Sequence, residues 1–382
     1  MAVEGPLSGI TVVDLSRVLA GPYFTMVLAD LGARVIKVEA PKGGDDSRHY
    51  GPFVAGKSAY FMSLNRGKES IALDLKAEED RAVFLALLGR ADVLVENFRP
   101  GTMDRMGLGW NTLHERYPRL IYAAVSGFGR TGPYASRAAY DIIVQAMGGI
   151  MSLTGQPDSS PARVGASVGD IVAALFLATA INGALYHRTT SGEGMLIDVA
   201  MLDAQVAVLE NAIARYAATG NVPGPLGARH PSITPFDAFA AADGYLVVAA
   251  GNDALFRRLC TVLDRADLAD NPLFATNDLR TVHQAALKDE MESVLRLHPV
   301  EHWLTALEEA GIPSGPINTV DKVLADPQVR SRNMVVSTQD PGAGPLMMAG
   351  NPIKLSAFPD PGERMPAPGL DADRENILDM LA

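Results

Sequence analysis

The feature that most narrows the fold is a regular alternation of short apolar runs and longer amphipathic ones from Ile10 to Ser126. "ITVVDLS" (10–16) reads as a buried strand. "GPYFTMVLADLG" follows, with Pro22 suited to the first turn of a helix and Gly32 to its C-terminal stop. "ARVIKVE" is a second strand, which completes a βαβ unit. The pattern continues with the strand "SIALDL" (70–75) and the helix "KAEEDRAVFLALLGR", acidic in its first turn. The strands "ADVLVENF" and "LIYAAVS" (120–126) come next. Strands that alternate with helices predict an α/β fold with a mostly parallel sheet covered on both faces.

Beyond this region "YDIIVQAMGGIMSLTG" is helical and 156–163 is a Pro/Ser-rich loop. A further helix is expected behind Asp170. A strand at about 195–199 leads into one long helix to about 219. Residues 220–235 read as a linker, and "DAFAAAD" and "GYLVVAAG" as two strands turning at Gly244. Helices fill about 253–311. The Pro/Gly-rich tail from 312 is expected to pack back on the first domain, with "GNPIKLSAF" as a strand.

The chain has 382 residues, enough for two domains at about 150 residues each. A net charge of −11 argues against nucleic acid or an anionic membrane as partner, though a local cluster of cations still suits a small anion. The single cysteine, Cys260, excludes an intramolecular disulfide and a cysteine-clustered zinc site. Together with an N-terminus that lacks a basic start and a long apolar core, it leads us to expect a cytoplasmic protein. The apolar run 171–186 is too short for a spanning helix, which needs about 20 residues, and reads as a buried core helix.

Gly127-x-Gly129-x-x-Gly132 follows a strand and matches the spacing of a dinucleotide-binding loop. Its context differs: Pro133 follows the third glycine, the next helix starts only near Tyr140, and no acidic residue closes a second strand about 20 residues on. A glycine-rich loop at the carboxyl end of a strand, where open α/β sheets bind ligands, is the better reading, and no nicotinamide cofactor is expected. No HExxH motif suggests a metal.

Seven stretches in order resemble the class III coenzyme A transferases, whose relatives include the α-methylacyl-CoA racemases. They are "VVDLSRVLAGPYFTMVLADLGARVIKVE", "NRGKESIALDLK", "ADVLVENFRPGTMDRMGLG", "SGFGRTGP", "YDIIVQAMGG", "GASVGDI" and "GARHPSITPFDAFAAADGYLVVAAGND". The resemblance implies a large Rossmann-like domain, residues 1–205 completed by 332–382. It also implies a helix and linker at 206–225, a smaller α+β domain at 226–318, a return linker at 319–331, and an interlocked homodimer. It implies acyl-CoA as substrate and a carboxylic acid as acceptor, with no metal.

By the same resemblance Asp170 is the nucleophile that forms an acyl anhydride and then an aspartyl-CoA thioester. At a helix N-terminus, unpaired N–H groups would favour its ionised form, and Gly169 would let a pantetheine arm approach the backbone. An N-cap is the plain alternative for an acid at that place, and a nucleophile needs at least one oxygen free. Tyr140 stands where the racemases have histidine. With an ordinary pKa near 10 it is a poor base at neutral pH, which favours transfer over racemisation. Coenzyme A recognition falls on Leu73, Lys76, Asn97, Phe98, Arg105 and Met106. Lys76 and Arg105 suit phosphates, and Leu73, Phe98 and Met106 suit adenine. Where many transferases have a basic residue after the second strand this chain has Ala40-Pro41, leaving Lys37 or Lys42 to compensate. Leu19 replaces the glutamine of the formyl-CoA type. Substrate contacts are expected from Asp141, Arg229 and His230, with Arg229 suited to the free carboxylate of a dicarboxylic acyl group such as succinyl.

Overall fold

The computed structural model describes residues 4–382, which divide into two compact units. The first comprises the described residues up to 151, together with 163–221 and 326–382. The second comprises 152–162 and 222–325. The second unit therefore takes in part of the Pro/Ser-rich loop, and the return to the first falls at Asp326.

Six parallel strands form the sheet of the first unit: β1 (Thr11–Asp14), β2 (Arg34–Glu39), β3 (Glu69–Ala72), β4 (Val93–Glu96), β5 (Ile121–Ser126) and β6 (Leu196–Ala200). Their order is β3-β2-β1-β4-β5-β6. β1 pairs with β2 and β4 at once, Val13 opposite both Ile36 and Leu94. Alternate residues of each strand enter different cores. Val12, Val93, Val95, Ile121 and Ala123 face one side, with Phe24 and Leu28 of helix α1 (Ala20–Asp30). Val13, Leu94, Tyr122 and Ala124 face the other, with Phe84 and Leu87 of helix α2 (Glu78–Leu88). Burial on both faces explains why these strands read as continuous apolar runs.

Helix α3 (Asp141–Met147) and the long helix α4 (Val168–Ser191) follow β5. α4 is long and apolar enough to cross a membrane by length and composition, but it is a core helix on one face only. Ala173, Leu177 and Ile181 pack on the sheet, whereas Leu175, Phe176 and Tyr186 are exposed. The helix expected from about 200 to 219 is two, α5 (Met201–Val208) and α6 (Glu210–Thr219), parted at Leu209, whose amide reaches back only three residues to Val206.

The second unit has an antiparallel sheet of Phe236–Ala240, Tyr245–Ala249 and Ser314–Pro316. Helices that include Asp253–Val262, Gln284–Leu295 and Val300–Glu309 cover it around Phe239, Leu246, Leu259 and Trp303.

The tail seals the edge of the large sheet. The backbone N–H groups of Ser70 and Ala72 on edge strand β3 donate to Asp373 and Asp371, each at 2.8 Å. Ile377 of the C-terminal helix Arg374–Leu381 enters the α2-side core. "GNPIKLSAF" is not a strand: Asn351 accepts the N–H of Ile353 at 2.9 Å, Pro352 has none to give, and Ile353 stays exposed. The tail's strands are Val335–Asp340, Gly344–Ala349 and Glu363–Arg364.

Candidate active site

Strand order reverses between β1 and β4, the place where open α/β sheets leave a crevice at the carboxyl ends of their strands. An open cleft of about 1010 Å³, part of it continuous with solvent, lies there. Arg17, Val18 and Leu19 border it after β1, Asn97, Phe98 and Arg99 after β4, and Gly127 and Phe128 after β5. Arg137, Tyr140 and Asp170 complete the wall. Gly127 is where the chain must be bare, because a Cβ there would stand 2.3 Å from that of Ala139. The glycine pattern thus seats residues 138–140 against the end of β5, and α3 begins nine positions after Gly132.

Asp170 is the third residue of α4, not its cap; Ser167 is the N-cap and makes no side-chain cap bond. The helix starts earlier than expected because its first turn is capped from outside. Asp141 Oδ1 accepts the N–H of Gly169 at 2.8 Å. Asp141 Oδ2 accepts from Gln145 Nε2 at 2.8 Å, and Gln145 Oε1 accepts the N–H of Val164 at 2.9 Å. Both oxygens of Asp141 therefore face inward, although contact with substrate was expected of it. Gly169 also differs from expectation. It is buried, and its missing Cβ makes room for Val144 and Asp141, not for a ligand.

Among the described residues neither oxygen of Asp170 accepts a hydrogen bond. Burial, and then the negative charge of Asp141, push its carboxyl up to about 7. The expected bias of the helix terminus toward the ionised form is thus outweighed. Burial and the charge of Asp170 also push the phenol of Tyr60 up to about 12. The ring of Tyr60 meets that of Tyr50 edge-on at 5.8 Å. Tyr140 is 71% exposed.

The cleft joins Asp170, Tyr140, Asn97 and Phe98, and omits Leu73, Lys76, Arg105 and Met106. Leu73, Phe98 and Met106 share one core, where Leu73 is 3% exposed and offers a ligand almost no surface. Lys76 and Arg105 are exposed. Lys37 is fully buried, paired with Asp45 at 2.8 Å, and so cannot reach a phosphate; Lys42 is exposed. In the second unit Arg229 borders a small pocket with Phe236, Asp237 and Lys288 and makes no ion pair among the described residues. His230 accepts the N–H of Ser232 at 3.1 Å and lies beside the Phe236 ring.

Gln145, Tyr60 and the cleft arginines Arg17, Arg99 and Arg137 were not foreseen. The four-residue spacing of Asp141 and Gln145 on one helix was the signal for the first. The others carry no local pattern. Among the described residues no group of three or more potential metal ligands occurs.

The model of CoA-transferase family III matches residues 7–374. The chain is 48% identical to the acetyl-CoA:oxalate CoA-transferase of Acetobacter aceti, over 96% of this chain and 94% of that one. It is 43% identical to the succinate–glutarate CoA-transferase of Agrobacterium fabrum, over 98% and 95%. A crystal structure of a CaiB/BaiF family protein from Brucella suis superimposes with a TM-score of 0.88 at 41% identity, covering 99% of this chain and all of that one (100%). The chain therefore belongs to CoA-transferase family III, enzymes that move coenzyme A between an acyl-CoA thioester and a carboxylic acid.

Proposed function

We propose that this transferase works through covalent intermediates on Asp170 and draws its acyl group from a dicarboxylic acyl-CoA such as succinyl-CoA. The observation that carries the mechanism is the carboxylate of Asp170, free of hydrogen bonds, at the wall of the large cleft. An Asp170 oxygen attacks the thioester carbonyl; the C–S bond breaks and coenzyme A leaves as thiolate, giving an acyl–aspartyl anhydride. The thiolate then attacks the aspartyl carbonyl and expels the donor acid as carboxylate. The acceptor carboxylate attacks the aspartyl-CoA thioester, and the released thiolate takes the new acyl group from Asp170. No net proton is exchanged, and the thioester bond energy is conserved.

In this reading Phe98 flanks the bound thioester, Asn97 serves the site by holding the backbone of Arg17 beside it, Lys76 and Arg105 take phosphates, and Leu73 and Met106 support the adenine end. Tyr140 hydrogen-bonds an intermediate. Arg229 and His230 recognise the distal carboxylate of the acyl group; several relatives at 38–43% identity carry succinate or succinyl-CoA in their names. A second copy of the chain would cover the apolar side chains of Ile142, Ile143, Leu175, Phe176 and Tyr186, which are exposed in one chain.

The test is isotope exchange. With succinyl-CoA and labelled succinate as the only substrates, label should enter the thioester. Asp170→Asn should abolish that exchange while coenzyme A still binds. Exchange retained in Asp170→Asn would overturn the mechanism.

A further inference from the structure

Val18 borders the cleft with φ of +68°, a left-handed backbone that a β-branched side chain strongly resists. Such strain persists only where the surroundings impose it. Here they do so from three sides. Asn97 takes both backbone groups of Arg17: its Oδ1 accepts the N–H at 2.8 Å and its Nδ2 donates to the carbonyl at 2.7 Å. Asp45 Oδ1 accepts the N–H of Val18 at 3.1 Å. Lys37 Nζ, paired with Asp45, donates to the carbonyl of Ser16 at 2.8 Å. Asp45 and Lys37 are buried and Asn97 is partly so, and all three reach the turn from other segments of the chain.

We propose that Asn97 and Asp45 are positioning residues that hold the Arg17–Leu19 turn in its strained form, preformed to receive coenzyme A. The proposal rests on the cleft being the acyl-CoA site. Its consequence is specific to the backbone. If Asn97 is removed, Val18 relaxes to negative φ and swings Arg17 away from the Phe98 ring, over which its guanidinium now sits at 5.3 Å. A glycine at position 18 has no such drive to relax, since it occupies left-handed backbone at little cost.

The experiment measures the Kd of free coenzyme A by calorimetry in a two-by-two set: wild type, Asn97→Ala, Val18→Gly and the double variant. We expect Asn97→Ala to weaken binding about tenfold in the Val18 protein. In the Val18→Gly protein the loss should be about threefold or less. Equal losses on both backgrounds would mean that Asn97 touches the ligand directly and would overturn the proposal, as would no loss at all. Asn97→Asp keeps the acceptor for the Arg17 N–H and replaces the alanine variant if that one fails to fold. Phe98→Ala serves as the control for the site itself. An unchanged Kd in Phe98→Ala refutes the cleft reading, whereas a weakened Kd beside additive Asn97 losses refutes only the clamp.

Discussion

Asp141 holds the N–H of Gly169 at 2.8 Å, and so one carboxylate caps the helix turn that presents the other, Asp170. The pair does two jobs with opposite effects. It fixes the position of Asp170, and its negative charge discourages Asp170 from ionising.

The ionised form of Asp170 is the nucleophile in the proposed mechanism. Its carboxyl titrates at about 7 when folded, against 3.8 ordinarily. The rate of the first half-reaction should therefore climb with pH through a midpoint near 7 and level off above it, as measured by stopped-flow release of coenzyme A. Stability should run the other way. Between the two values the folded state holds a proton the unfolded chain has lost, so stability falls as pH rises from about 4 to about 7. Asp170→Asn removes that dependence. It should melt with the wild type at pH 4 and several °C above it at pH 8, because a rise from 3.8 to about 7 corresponds to at most about 4 kcal/mol.

Replacing Asp141 by asparagine keeps an acceptor for Gly169 and removes the charge. The rate midpoint should move to lower pH. The new amide N–H₂ would face that of Gln145, a donor against a donor in a buried place, at a cost of about 1–3 kcal/mol in urea unfolding. A midpoint that stays near 7 would mean that burial alone sets it.

Gly169→Ala would bring a Cβ to 2.6 Å from Val144 Cγ2 and 2.9 Å from Asp141 Oδ1. Overpacking of this kind costs about 1–3 kcal/mol, and here it also pushes Asp170 off its position. Stability and kcat should fall together, with little change in coenzyme A binding.

Much of this was legible in the sequence. The order of strands and helices followed from apolar runs that alternate with amphipathic ones. β1, β2, β4 and β5 fall inside the stretches read as strands, because strands buried on both faces leave a local record. The irregular run at 350–358 looked like a strand because its apolar residues resemble one; only the turn at Asn351 and Pro352 marks it otherwise. Motifs singled out Asp170 and Tyr140, and the cleft brings these two together. It was not legible where side chains from distant segments converge on backbone. Nothing near Val18 in sequence announces that Asn97 and Asp45 hold it, and nothing near Lys37 announces that it is buried. The reading of Gly169 as a gap for a ligand failed for the same reason, since Val144 and Asp141 fill it from another helix.

Arg229 tests the choice of donor. Arg229→Ala should raise the KM for succinyl-CoA about tenfold, the loss of roughly 1.4 kcal/mol expected when a charge-assisted pair is removed, and leave that for acetyl-CoA nearly unchanged. Equal losses with both donors would rule out recognition of a distal carboxylate.

The most direct test of the central claim is chemical trapping. The protein is incubated with succinyl-CoA, quenched with hydroxylamine, digested and examined by mass spectrometry. A hydroxamate in place of the carboxyl group of Asp170, absent without the thioester, is the expected result. An unmodified Asp170 in a preparation that turns over, or a hydroxamate on a different carboxylate, would contradict it.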